Sequence, residues 1–185
     1  MPRLPFPADA DGFSAETRAA VRQIQATRGS LPPPSTYLAY AGEVADKLAA
    51  LSGHLRHHTS LTDAEAELAI CAAARAMDLD FIWDAHVRLG LAAGTREEAI
   101  HAVDTFGPLD GLTDDEKRII RYSRELLEEK KVEDATFEAV RARWGEKGAL
   151  ELTAVMSVYL MNATILRAMD HRPAPGARLL TPRPR

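Results

Sequence analysis

One cysteine, Cys71, occurs in 185 residues, so no intrachain disulfide and no paired-thiol motif can form within the chain. Aromatic residues make up only 6% of it, and no segment alternates β-branched with polar residues, so strands have no support. Basic charge is not in excess: the net charge is -4, which excludes the electrostatic footprint of a nucleic-acid binder. No uninterrupted apolar run approaches the roughly 18 residues of a membrane span, and residues 1–7, with their three prolines, lack the apolar core of a leader. A cytoplasmic protein with neither a nucleic-acid nor a membrane partner is expected. Phosphate loops, HExxH helices and nucleophile elbows are missing too, so no cofactor is expected.

What the chain does have is helix-forming residues. Apolar residues reach 46%, with abundant alanine and leucine alongside glutamate and arginine, all strong helix formers. The expectation is an all-α fold, a single domain of about seven or eight helices over residues 14–170. A loose arm (1–13) precedes it. A disordered tail rich in proline and arginine (171–185) follows.

Ser14 can cap a first helix that ends at Arg28-Gly29. After a proline segment, Ser35 is expected to cap one continuous helix to His58. Leu61-Thr62-Asp63-Ala64-Glu65 reads as a capping box. It opens a helix to Met77 that is apolar nearly all round after Glu67, and such a helix belongs at a protein's centre. Asp78 or Asp80 is expected to cap the next helix, closed by Gly94, and a short one follows to Gly107. Leu112-Thr113-Asp114-Asp115-Glu116 repeats the capping pattern, which fits either an internal duplication or capping chemistry alone. Helices over 113–130, 134–144 and 147–169 complete the chain.

Two residues on the central pair could carry chemistry. Glu67 is a carboxylate at the start of an otherwise apolar helix. Burial raises the pKa of such a group and the helix N-terminus lowers it, so it could exchange protons near neutrality. The plain alternative is a glutamate answering the helix dipole. His86 lies on the next helix, one turn after Trp83, and imidazole suits proton transfer at neutral pH. Alone, it equally suits a satisfied core histidine. Cys71, one turn after Glu67, reads as core packing, with a single-thiol redox role as the alternative. His54 and His58 share a helix face as a metal pair would, but Arg56 between them opposes a cation and no third ligand is evident. Arg56 could instead contact an anion. Tyr159 and Asn162 read as packing and capping groups.

The run Glu67-Leu-Ala-Ile70, then Phe81, Trp83, His86 and Val87, then Ala93-Gly94 and Ile100, resembles the carboxymuconolactone decarboxylase and alkyl hydroperoxidase D-like (AhpD-like) superfamily. The likeness extends over residues 28–169, with Leu112 to Leu127 and Tyr159 to Asn162 included. It implies an AhpD-like helical fold, assembly as a homo-oligomer (trimer or hexamer) and relay roles for Glu67 and His86. The peroxidase branch adds a CxxC pair, which falls here on Leu79 and Ile82, so dithiol chemistry is closed to this chain. The arginines that commonly flank the glutamate are Ala64 and Ala66 here.

These readings combine into a cofactor-free, lyase-like enzyme for a small organic acid, lactone or related carbonyl compound. Glu67 and His86 would be catalytic, and Trp83, Ile82 and Cys71 would line the substrate pocket. Two alternatives stand beside it: a non-catalytic structural or regulatory oligomer of the same fold, and weak hydroperoxidase activity through Cys71.

Overall fold

The computed structural model describes residues 2–7 and 12–183, and these are helical with no strand among them. The helices are α1 (Ala15–Arg28), α2 (Pro33–Leu38), α3 (Glu43–His57), α4 (Asp63–Ala76), α5 (Asp80–Ala93), α6 (Glu97–Thr105), α7 (Asp114–Ser123) and α8 (Asp134–Ala168). The all-α expectation holds.

α4 is the axis of the molecule. Every residue from Ala66 to Arg75 is buried, because α5, α6, α7 and α8 all pack on it. Both capping boxes form: Thr62 and Glu65 exchange side-chain and backbone bonds at the start of α4, and Thr113 and Glu116 do so at α7. The first helix ends on Gly29 in the left-handed conformation, as its sequence implies. A satellite core of Ala20, Val21, Ile24, Ala39 and Ala45 joins the N-terminal helices, which buries part of their apolar surface.

Four local readings need correction. The helix expected over 35–58 is interrupted. A 3-10 turn (Ala39–Ala41) follows α2, and Gly42 at φ 54, ψ −116 turns the chain before α3. Neither Asp78 nor Asp80 caps α5; Leu79 occupies the cap without a side-chain bond. Both aspartates are committed elsewhere, Asp78 to Arg183 and Asp80 to the backbone N–H of Leu180. The region 113–130 is not uniform either, since a π-helical turn (Arg124–Glu129) succeeds α7 and ends on left-handed Lys130.

The fourth correction is the tail. Residues 172–183 have no regular secondary structure, yet they strap across the outside of α4 to α6. Asp84, Asp80 and Asp104 accept the backbone N–H groups of Arg178, Leu180 and Thr181, each at 2.9 Å. Composition predicts disorder there because it counts few apolar groups, and here three side-chain acceptors on α5 and α6 stand in for a core. The described part of the arm is tied down as well. Arg3 N–H donates to Met169 O at 2.9 Å, and Phe6 packs edge-on against Tyr37. Residues 8–11, also expected to be loose, and 184–185 lie outside the described residues.

α8 has a span apolar enough by composition to cross a membrane, but 56% of that window is buried inside the protein. It is also two helical segments, because Gly145 at φ 73, ψ 178 breaks it where the sequence places the boundary. That conformation is accessible almost only to glycine. A Cβ at Gly145 would meet no atom within 4 Å, so substitution there isolates backbone strain from packing. Gly145→Ala is expected to cost about 1–3 kcal/mol, measured by urea unfolding, while the far-UV spectrum stays helical.

Candidate functional site

The start of α4, the middle of α5 and the end of α3 converge on one buried carboxylate. Glu67 is 5% exposed, and both of its oxygens are engaged. His86 Nδ1 donates to Oε2 at 2.6 Å. Arg56 donates to Oε1 through both Nε (3.1 Å) and Nη2 (2.8 Å). Tyr159 of α8 completes the cluster, its ring meeting that of His86 edge-to-face at 4.7 Å.

The approach of α4 and α5 that allows this depends on Gly90. A Cβ there would lie 3.4 Å from Glu67 Cβ and 3.1 Å from Thr95 Oγ1. Thr95 in turn donates to Ala64 O at 3.0 Å, which ties the far end of α5 to the first turn of α4.

Glu67 does not balance near neutrality as its position alone suggested. Burial pushes its pKa up, but bonding and charge from His86 and from Arg56 outweigh that, and it falls below the usual carboxylate range. The side chain is therefore an anion at neutral pH. An ionised Glu67 has only acceptors, so the 2.6 Å contact requires the proton to sit on His86 Nδ1. In the neutral imidazole Nε2 is then the acceptor, the tautomer a general base needs.

Arg56 is the residue whose role the sequence understated. It is legible there as a cation among histidines that could contact an anion, and the flanking positions Ala64 and Ala66 lack the arginines common beside such a glutamate. The structure brings one from a different helix. Tyr159 was likewise read as packing, and only the fold places it against His86.

The other three sequence candidates sit differently. Trp83 and Cys71 are 0% exposed and Ile82 3%, and all belong to the main hydrophobic core. The apolar character that suggested pocket walls instead fills the centre of the bundle. The Cys71 thiol is pushed far up by its burial and by the charge of Glu67, which leaves no thiolate at neutral pH. His54 and His58 pack ring to ring at 5.7 Å, and no group of three or more His, Cys, Asp or Glu among the described residues is placed to hold a metal. His54, His57 and His58 do line an open cleft of about 840 Å³ between α1 and α3. Arg56 is in its wall, so the cleft reaches the Glu67 cluster through that guanidinium.

Residues 42–108, from the start of α3 through α6, match the profile of the carboxymuconolactone decarboxylase family. Over that segment the chain is similar to the carboxymuconolactone decarboxylase family, and its fold is AhpD-like. Its fold is similar to a crystal structure described as an alkylhydroperoxidase AhpD core, an uncharacterized peroxidase-related protein from Ralstonia eutropha JMP134. The TM-score is 0.73 at 18% identity, covering 94% of this chain and 93% of that one. The curated proteins give no match.

The lowered pKa of Glu67 carries a consequence for stability. A depressed carboxylate stabilises the fold fully above its unfolded pKa of about 4.3, and the contribution is lost as pH falls through the folded value. Glu67→Gln is expected to lower Tm at pH 7, with the gap to the wild type closing below about pH 4. Thermal melts of both proteins between pH 2.5 and 7 check this, and a gap that persists at pH 2.5 counts against a charge effect.

Proposed function

We propose that the protein is a cofactor-free acid/base enzyme that acts on a small organic acid, lactone or related carbonyl compound. The observation that carries this is the Arg56–Glu67–His86 chain, in which an ionised carboxylate fixes one imidazole tautomer. His86 Nε2 would remove a proton from the carbon next to the substrate carbonyl and return it at the same or a neighbouring atom. Glu67 would stabilise the imidazolium formed in between, and Arg56 would keep Glu67 ionised as His86 cycles. Placing a catalytic base by a buried, hydrogen-bonded carboxylate is a general way to orient imidazole.

Leu79 and Ile82 exclude a dithiol step, and the raised, buried Cys71 thiol disfavours a single-thiol one. The reading most at odds with the enzyme is a non-catalytic oligomer. It is favoured by the burial of Ile82, Trp83 and Cys71, each at most 3% exposed. A homo-oligomer accompanies either reading, since Leu51, Leu89, Leu91, Leu150 and Met161 are 41–70% exposed, an apolar load that a monomer has reason to cover.

Exchange of substrate C–H for deuterium decides between them. In D2O, with a panel of small lactones and keto acids followed by NMR, the wild type is expected to exchange at least one compound well above the buffer rate. His86→Ala is expected to reduce that rate about 100-fold or more. Equal rates in the variant and the wild type remove His86 from the mechanism, and no exchange across the panel favours the non-catalytic oligomer.

A further inference from the structure

Away from this cluster, the last turn of α4 holds a second buried charge. Arg75 is 2% exposed. Its Nη1 donates to Thr181 O at 2.9 Å and lies 3.3 Å from Asp78 Oδ1. Its Nε and Nη2 are buried with no acceptor among the described residues. Those two N–H groups form one edge of the guanidinium and converge on a single point. The same edge of Arg56 converges on one oxygen of Glu67. Charged donors left unmet in the interior are costly, so the geometry calls for an acceptor there.

The surroundings specify its charge. Arg183 claims both nearby carboxylates, with Nε at 2.8 and 2.9 Å from the oxygens of Asp78 and Nη1 at 2.8 Å from Glu128. Arg75 and Arg183 both lie against the ring of Phe106, at 4.8 and 5.2 Å. Arg124 is half-buried at the start of the π-helical turn and has no ion-pair partner among the described residues. Its Nη2 donates only to the carbonyls of Ala102 (2.9 Å) and Gly107 (2.8 Å), and burial pushes its pKa down. Three guanidiniums thus face two carboxylates.

Among them is a cavity of about 10 Å³, walled by Arg75, Arg124, Ser123, Phe106 and Glu128 together with apolar side chains. About 10–15 Å³ admits one water-sized particle. A water would accept from the Arg75 edge but would also have to place two protons. The carboxylate in the wall is spent on Arg183, and the Ser123 hydroxyl already donates to Ile120 O at 2.8 Å. So small a space favours a monatomic ion over an oxyanion or an organic acid.

We propose that this cavity binds one monatomic halide, chloride in ordinary media, on the Nε and Nη2 edge of Arg75, with Arg124 also in its wall. The ion offsets the uncompensated guanidinium. It also adds to the bonds of Arg75 and Arg183 that already tie together α4, the π-helical turn and the C-terminal strap.

Crystals of the full chain soaked in bromide and measured at the bromine edge test it directly. The expected result is one anomalous peak within hydrogen-bond reach of Arg75 Nε and Nη2. In solution, Tm is expected to be about 2–4 °C higher in chloride than in gluconate at equal ionic strength, and Arg124→Gln is expected to remove that difference. A site peak without anomalous signal identifies water and overturns the proposal, as do equal melting temperatures of the wild type in the two salts. Should Arg124→Gln fail to fold, the bromide map of the wild type still decides.

Discussion

Glu67 keeps a negative charge while exposing 5% of its surface, and the centre of the bundle is arranged around that constraint. An ion taken out of water needs a compensating charge and bonds to each of its oxygens, or it gives up its charge. Glu67 receives three donors from two helices, with α3 supplying Arg56 and α5 supplying His86. Removing either helix from its place would leave the carboxylate unsatisfied. The pair Gly90 and Thr95 serves the same end, because their contacts set how closely α5 approaches α4.

The chemistry follows from that arrangement. A carboxylate that stays ionised holds a proton of His86 on the near nitrogen, so the far one is the acceptor in the neutral imidazole. The cation that makes this possible comes from α3, outside the helix that carries Glu67, so the absence of arginines at positions 64 and 66 is compensated in space. Arg56 also stands in the wall of the cleft between α1 and α3, which links the buried cluster to the solvent side of the N-terminal helices.

A second theme is the hold that aspartates of α5, α6 and the turn before α5 have on the C-terminal strap. The strap from residue 172 onward buries little apolar surface, yet Asp80, Asp84 and Asp104 each accept one of its backbone N–H groups. Arg183 then bridges Asp78 to Glu128. The same aspartates that look like helix caps in the sequence are acceptors for a segment about a hundred residues away. Their local capping potential loses to this use because Leu79 can begin α5 without a side-chain bond.

Much of the framework is legible in the residues alone. The apolar circumference of α4 dictates its central place, the two threonine-glutamate boxes mark where α4 and α7 start, and Gly29, Gly94 and Gly145 mark ends and a break, all through short-range backbone and capping chemistry. Glu67 and His86 are legible as a pair because they lie on adjacent helices joined by a tight link. Trp83, Ile82 and Cys71 were read as pocket walls and are buried in the core, since an apolar side chain looks the same in sequence whether it lines a cavity or fills a core. The ionisation of Glu67, the service of Arg56, the contact of Tyr159 with His86 and the docking of the tail were decided by the tertiary structure alone. Each depends on charges and donors brought together across long stretches of chain, and such distances are fixed by how helices pack, which no local spacing encodes.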